Sequence, residues 1–201
     1  MRRLWLVIGV TFALSLSLGA GADARKFKGE EAEALAAEAA AYMASVDTLT
    51  CPFDFITAGG KTKGHLFINR ELQAIRMQFG APLNYLLLVT GGQVQFYGSD
   101  GRVIETPASG TPLAFLLRPE QSLAESLRVL EVEERGDRLF IVIADRDDLQ
   151  AGQVILQFQR EPDWKLIDWG AFDSKGRFTQ TVLGDQETGL RLDAMLFRPP
   201  L

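Results

Sequence analysis

The sequence predicts a mainly β (α+β) fold: an incomplete antiparallel β-barrel, or strongly curved sheet, covered by an N-terminal helix and a short helical lid. Three observations predict it. A single alanine-rich amphipathic segment comes first. About a dozen short alternating segments broken by turn signals follow it. One proline-flanked apolar stretch interrupts that meander. A sheet of so many strands rarely stays flat and open, and helices must cover whichever face is apolar.

In chain order, Glu30 to Ser45 carries Leu35, Ala39, Tyr42 and Met43 at i, i+4, i+7 and i+8. Glu30 and Glu31 stand where a helix dipole favours negative charge. Thr48 to Thr57 ends at Gly59-Gly60, and Thr62 to Arg70 is its hairpin partner. Gln73 to Phe79 places Ile75, Met77 and Phe79 on one face. Pro82 precedes Asn84 to Thr90, Gly91-Gly92 leads into Gln93 to Gly98, and Asp100-Gly101 signals a type I′ hairpin into Arg102 to Glu105. Pro107, Gly110 and Pro112 flank Leu113 to Leu117, and Pro119 opens a second piece through Leu127, giving two short helices. Strands resume at Leu127 to Glu134, Arg138 to Asp145, Gln153 to Arg160, Trp164 to Asp173, Arg177 to Leu183 and Leu190 to Phe197.

The first 24 residues predict a secretory signal peptide, leaving residues 25–201 as a single domain. Arg2 and Arg3 form a basic start, Leu4 to Leu18 is largely apolar, and Ala22-Asp23-Ala24 offers a cleavage site, with Ala20-Gly21-Ala22 as a second. An uncleaved anchor is disfavoured because the apolar run is short of the roughly 20 residues a span needs. The expected location is therefore an extracytoplasmic one. The formal net charge of −5 becomes one unit more negative once Arg2, Arg3 and Asp23 are removed. An acidic chain without a basic stripe argues against a nucleic-acid partner.

Chemistry is sparse. Cys51 is the one cysteine, so no intrachain disulfide forms, and its alternation with Leu49, Phe53 and Phe55 makes it a buried strand residue. His65 is the one histidine, and no G-x-S-x-G elbow, zinc-ligand set or glycine-rich phosphate loop accompanies it. Asp145, Asp147 and Asp148, and Glu131, Glu133 and Glu134, are explained as solvated loop and outer-face charges. No catalytic residue, cofactor or metal is expected; a binding protein fits this inventory better than an enzyme.

Several segments carry a resemblance. Gly64-His65-Leu66-Phe67-Ile68-Asn69-Arg70 is followed by Ile75-Arg76-Met77-Gln78-Phe79, then by Gly91-Gly92-Gln93-Val94-Gln95-Phe96-Tyr97. Thr106-Pro107 leads to the apolar run Pro112 to Leu117. Phe172-Asp173-Ser174-Lys175-Gly176-Arg177-Phe178-Thr179 and Leu196-Phe197-Arg198-Pro199 close the series. Their order from Tyr42 to Pro199 resembles the LolA family of periplasmic outer-membrane lipoprotein carriers. Met77 departs from the family's aromatic residue, and Glu71 stands where the family has proline.

The resemblance implies a half-open barrel with a lid, and a periplasmic chaperone that shelters acyl chains and shuttles lipoproteins from the inner to the outer membrane. Implied partners are acylated lipoproteins as cargo, an inner-membrane ATP-driven release complex and an outer-membrane acceptor. It implies that Arg70 holds the lid through hydrogen bonds, with Glu71 free to pair with Arg70 or Arg76. Leu66, Ile68, Ile75, Met77, Phe79, Leu86, Leu88, Val94 and Phe96, with Leu113, Phe115 and Leu116 on the lid, are the expected cavity lining. A monomer is expected, because a carrier that docks on two partners needs its mouth free. Alternatives are a carrier of another lipid or glycolipid, a lipoprotein-sensing regulator of the same fold, a hydrolase using the aspartates, and a structural envelope protein.

Overall fold

The computed structural model describes residues 24–108, 111–149, 152–173 and 175–200. The expected signal peptide lies outside the described residues except for Ala24. The described residues run from β1 (Arg25–Phe27) and α1 (Glu30–Ser45) through β2 (Thr48–Thr57), β3 (Gly60–Asn69), β4 (Ala74–Phe79), β5 (Leu86–Thr90), β6 (Gln93–Tyr97) and β7 (Val103–Pro107). Two short helices, α2 (Pro112–Leu117) and α3 (Pro119–Glu125), separate these from β8 (Leu127–Arg135), β9 (Arg138–Asp145), β10 (Gly152–Gln159), β11 (Lys165–Asp173), β12 (Phe178–Leu183) and β13 (Glu187–Thr188). A 3₁₀ turn, Ala194–Phe197, follows.

All 13 strands belong to one antiparallel sheet, in the order β1-β8-β9-β10-β11-β12-β2-β3-β4-β5-β6-β7, with β13 beside β2. The ladder starts at β1 and ends at β7 without joining them, so the barrel is incomplete, as the sequence predicts. Register slips at Val129/Glu131 and Gln157/Phe158 mark bulges, which bend and twist a sheet locally.

Helix α1 is stapled by size rather than by bulk. Ala32, Ala36, Ala39 and Ala40 are buried with Met43, letting its backbone come close to β8 and α3, while Leu35 and Tyr42 flank that seam. Gly91 and Gly92 both take positive φ, which a two-residue turn between paired Thr90 and Gln93 requires. At Gly64 the need is steric: a Cβ there would lie 2.2 Å from the ring of Phe53 and 2.6 Å from the Gln78 carbonyl oxygen.

Three expectations are corrected. Leu190 to Phe197 is not a strand. Asp193 caps the 3₁₀ turn by accepting from Met195 N–H at 2.9 Å, and Arg76 Nη1 donates to Leu196 O at 2.9 Å. Leu192, Leu196 and Phe197 then pack with Phe67, Ala74, Leu88 and Tyr97 on the outside of the sheet. Strands β1 and β13 have no counterpart in the sequence reading; they are three and two residues long, too short to show a period. The turn at Asp100-Gly101 is not type I′. Gly101 alone takes positive φ while Gly101 N–H bonds to Gly98 O, the three-residue form.

One acid is buried within the sheet. Asp168 on β11 is raised to about 6, chiefly by burial, against opposing effects of Gln180 and Arg138. Raised above its unfolded value, it favours folding fully below about 4, and that contribution is lost as pH rises through 6. Asp168→Asn should therefore gain about 2 kcal/mol over the native chain at pH 8 and almost nothing at pH 4, in urea unfolding; an equal difference at both pH values would contradict this. Gly64→Ala should cost about 1–3 kcal/mol in the same measurement, because neither the Gln78 backbone nor the packed Phe53 ring can yield freely.

Candidate ligand-binding site

Strand alternation sends every second side chain to the concave face of the curl. There Leu49, Cys51 and Phe53 of β2 meet Leu66 and Ile68 of β3, Ile75, Met77 and Phe79 of β4, Leu87 and Val89 of β5, and Val94 of β6. Leu139, Ile141, Ile143, Leu156 and Phe158 continue the surface through β9 and β10. The Cys51 thiol is pushed up to about 12 by burial among these groups, which leaves it inert as a nucleophile.

At one end the face is aromatic. Phe79 packs on Phe53, Phe55 and Tyr85 with ring centroids 5.1, 5.3 and 4.1 Å away, and Tyr85 meets Phe96 at 6.3 Å. Phe55, Tyr85 and Phe96 are only half buried, and Ile104 of β7, opposite Phe96, is 64% exposed. The apolar surface therefore runs out to solvent at the β7 edge.

At the other end, α2 and α3 cover it. Thr111 caps α2, its hydroxyl accepting from Ala114 N–H and donating to Ala108 O at 2.6 Å. Leu113, Phe115, Leu116 and Leu117 of this two-turn helix are all buried in the same cluster as the sheet. A six-residue helix is marginal by itself in water, so its stability comes from that contact.

Of the expected lining, Leu66, Ile68, Ile75, Met77, Phe79, Val94, Leu113, Phe115 and Leu116 are brought together, with Phe96 packed at their edge. Leu86 and Leu88 are not. They pair with Gln78 and Arg76, on the convex face, and Leu88 joins the cluster under the C-terminal turn. Leu87 and Val89 take their places. The run Leu86-Leu87-Leu88-Val89 is apolar on both faces because helices cover one and the C-terminal segment the other, so no alternation shows in the sequence.

The lid tethers also differ from expectation. None of the three guanidinium nitrogens of Arg70 has a hydrogen-bond partner among the described residues, although the side chain is 9% exposed. Burial lowers it to about 10, against the fields of Asp47 and Tyr42. Arg118, between the lid helices, instead donates from Nε to Gln73 Oε1. Gln73 Nε2 in turn donates to Arg70 O at 2.7 Å. Arg146, in the turn after β9, donates from Nη2 to Leu123 O at 2.7 Å and Leu127 O at 3.1 Å, holding the end of α3. Sequence reasoning misses these residues because a lone arginine in a loop carries no signal. Glu71 makes no ion pair with Arg70 or Arg76 among the described residues.

The remaining polar candidates have structural partners. His65 Nε2 lies 2.8 Å from Thr50 Oγ1 and its ring packs on Phe67 at 4.6 Å. Asp145 Oδ1 accepts from the backbone of Asp147 and Asp148 at 2.8 and 2.9 Å, shaping a turn. Glu131, Glu133 and Glu134 pair with Lys26, Arg135 and Arg160. No group of His, Cys, Asp and Glu suited to a metal occurs among the described residues, and no described helix is long and apolar enough to cross a membrane.

A concave apolar face covered by short helices, in a sheet that does not close, defines the open half-barrel class of fold. The chain belongs to the LolA family: the model of the outer membrane lipoprotein carrier protein LolA matches residues 45–200. Solved structures resemble it at low identity. An uncharacterized conserved protein from Thermus thermophilus is 11% identical, with a TM-score of 0.50 over 83% of this chain and 93% of that one. The Pseudomonas aeruginosa MucA/MucB complex gives 12% and 0.46 over 85% of this chain, which spans 61% of that one. A putative outer membrane lipoprotein-sorting protein domain from Vibrio parahaemolyticus gives 10% and 0.46 over 82% and 97%. No curated protein sequence matches significantly.

Arg146→Ala should leave the sheet intact while raising amide hydrogen exchange in α2 and α3 by about tenfold or more, since a charge-assisted hydrogen bond contributes about 1.5–3 kcal/mol. Unchanged exchange in the lid would show that the apolar contacts alone hold it.

Proposed function

We propose that this protein is an exported, non-catalytic carrier that shelters the acyl chains of lipoproteins and ferries them from the inner to the outer membrane. The observation that supports this reading most is the lid: a six-residue helix whose apolar side chains fill the concave face of a LolA-family sheet. Those side chains occupy the space that acyl chains would take.

The energetics favour exchange over permanent capture. Burying Leu113, Phe115, Leu116 and Leu117 stabilises the closed form by about 6–12 kcal/mol at most, at about 1.5–3 kcal/mol per side chain. About a dozen methylene groups at about 0.8 kcal/mol each match that gain. Cargo can thus displace the lid and later yield to it. Such a balance suits loading driven by a separate ATP-using inner-membrane complex and downhill transfer to an outer-membrane acceptor. A free mouth fits a monomer.

The test is release from spheroplasts holding a newly made outer-membrane lipoprotein. Addition of the purified protein should bring the lipoprotein into the soluble fraction as a one-to-one complex. Release of nothing, with extracted lipid found in the protein, would instead assign it as a carrier of free lipid within the same fold.

A further inference from the structure

Arg70 is the group whose surroundings the closed lid leaves unexplained. It follows Leu66 and Ile68 in the alternation of β3, so its side chain leaves the backbone on the concave side. Its N–H bonds to Asp47 O at 2.9 Å, which continues the β2–β3 ladder by one rung and fixes that orientation. Nine-tenths of the residue is buried, yet Nε, Nη1 and Nη2 are all unpartnered among the described residues. A guanidinium offers five donors in a rigid planar fork suited to pairs of oxygen acceptors, and buried donors are ordinarily satisfied. Asp47 acts on the charge through space but lies outside ion-pair distance, and Tyr42 on α1 is the other group whose field reaches it.

Among the described residues the rest of the trough supplies no hydrogen-bond acceptor to it. Around it the concave face is hydrocarbon: Met43, Leu66, Ile68, Ile75 and Met77 are buried in one cluster. From Arg70 to the aromatic end at Gly64 is six residues, about 20 Å along the strand. The trough is therefore polarised, with one fixed cation at the lid end and apolar surface from there to the open β7 edge.

We propose that Arg70 is the head-group subsite of the trough, taking the oxygen acceptors, phosphate or ester carbonyl, from which two acyl chains diverge. The inference rests on the carrier reading and names what that site recognises. The ligand lies with its chains along Ile68, Ile75 and Met77 and its oxygens on the Arg70 fork. The lid tether registers its arrival, because Gln73, which holds Arg118, also holds the Arg70 carbonyl. A ligand oxygen drawn to the fork acts on the same four-residue turn that secures the lid. Arg70 thereby favours opening by what it lacks when the lid is shut.

Three monomeric probes separate the chemistries: dioctanoylphosphatidylglycerol, dioctanoylglycerol, and the dioctyl ether of glycerol, which has neither phosphate nor ester. Each competes with N-phenylnaphthylamine fluorescence on the purified protein, on Arg70→Leu and on Arg70→Met. The native protein should bind at least one of the phosphate- or ester-bearing probes tenfold or more tighter than the ether, and both variants should bind all three at the ether's level. Preference for the phosphatidylglycerol alone identifies a phosphate head; equal preference for the diacylglycerol identifies the ester carbonyls shared with an acylated cysteine. Both variants should also melt higher without ligand, by about 4 °C or more, since a buried unpartnered charge is removed. Variants that keep the native preference, or that melt lower, overturn the subsite. Binding of no probe by the native protein would overturn the carrier reading itself.

Discussion

A sheet curled so that one face is continuous hydrocarbon must keep water off that face, and the rest of this molecule follows from how it does so. The ladder from β1 to β7 never closes, and its concave side carries Leu49, Leu66, Ile75, Leu139, Leu156 and Phe158 without an opposing sheet to pack against. Helices must fill the curl. Helix α1 does so with alanines, which permit close approach and leave little side chain to withdraw. Helix α2 does so with Leu113, Phe115, Leu116 and Leu117, from a segment too short to be helical without the sheet beneath it. One cover packs by small side chains and the other by large ones.

The polar contacts around the lid fit that division. Side-chain bonds from Arg118 and Arg146 tie the lid helices to distant parts of the chain, and both arginines are accessible to solvent. Tethers of this kind can be exchanged for hydrogen bonds to water. Deep beneath them, Arg70 holds a charge with no hydrogen-bond partner among the described residues, at a cost of several kcal/mol. The arrangement is stabilised by hydrocarbon and destabilised by one buried cation, a balance that suits the proposed carrier role.

Much of this is legible in the sequence because period and punctuation agree. Helix α1 spans the predicted Glu30 to Ser45, and the two lid helices follow from Pro112 and Pro119. The β4 lining can be read because its outward residues are polar or charged, as in Ile75-Arg76-Met77-Gln78-Phe79. Where both faces are covered, the period disappears. That is why the sequence puts Leu86 and Leu88 on the wrong side of β5, and why the C-terminal segment, apolar enough for a strand, is a capped turn clamped by Arg76. Arg70 departs from expectation for another reason. Resemblance carries over a position and a hydrogen-bonding role, but partners are set by three-dimensional packing, here with Glu71 in place of proline and Gln73 and Arg118 making the contact instead.

The central claim is that cargo occupies the concave face and displaces α2 from it. Phe96 and Phe67 allow a direct comparison: both are half-buried aromatic side chains on β-strands, Phe96 packed against the concave core and Phe67 against the convex cluster. A photoreactive benzoylphenylalanine placed at each, in protein incubated with an acylated lipoprotein, should form cross-links to the acyl moiety from position 96 and none from position 67. Cross-links from position 67 alone, or equally from both, would contradict the account.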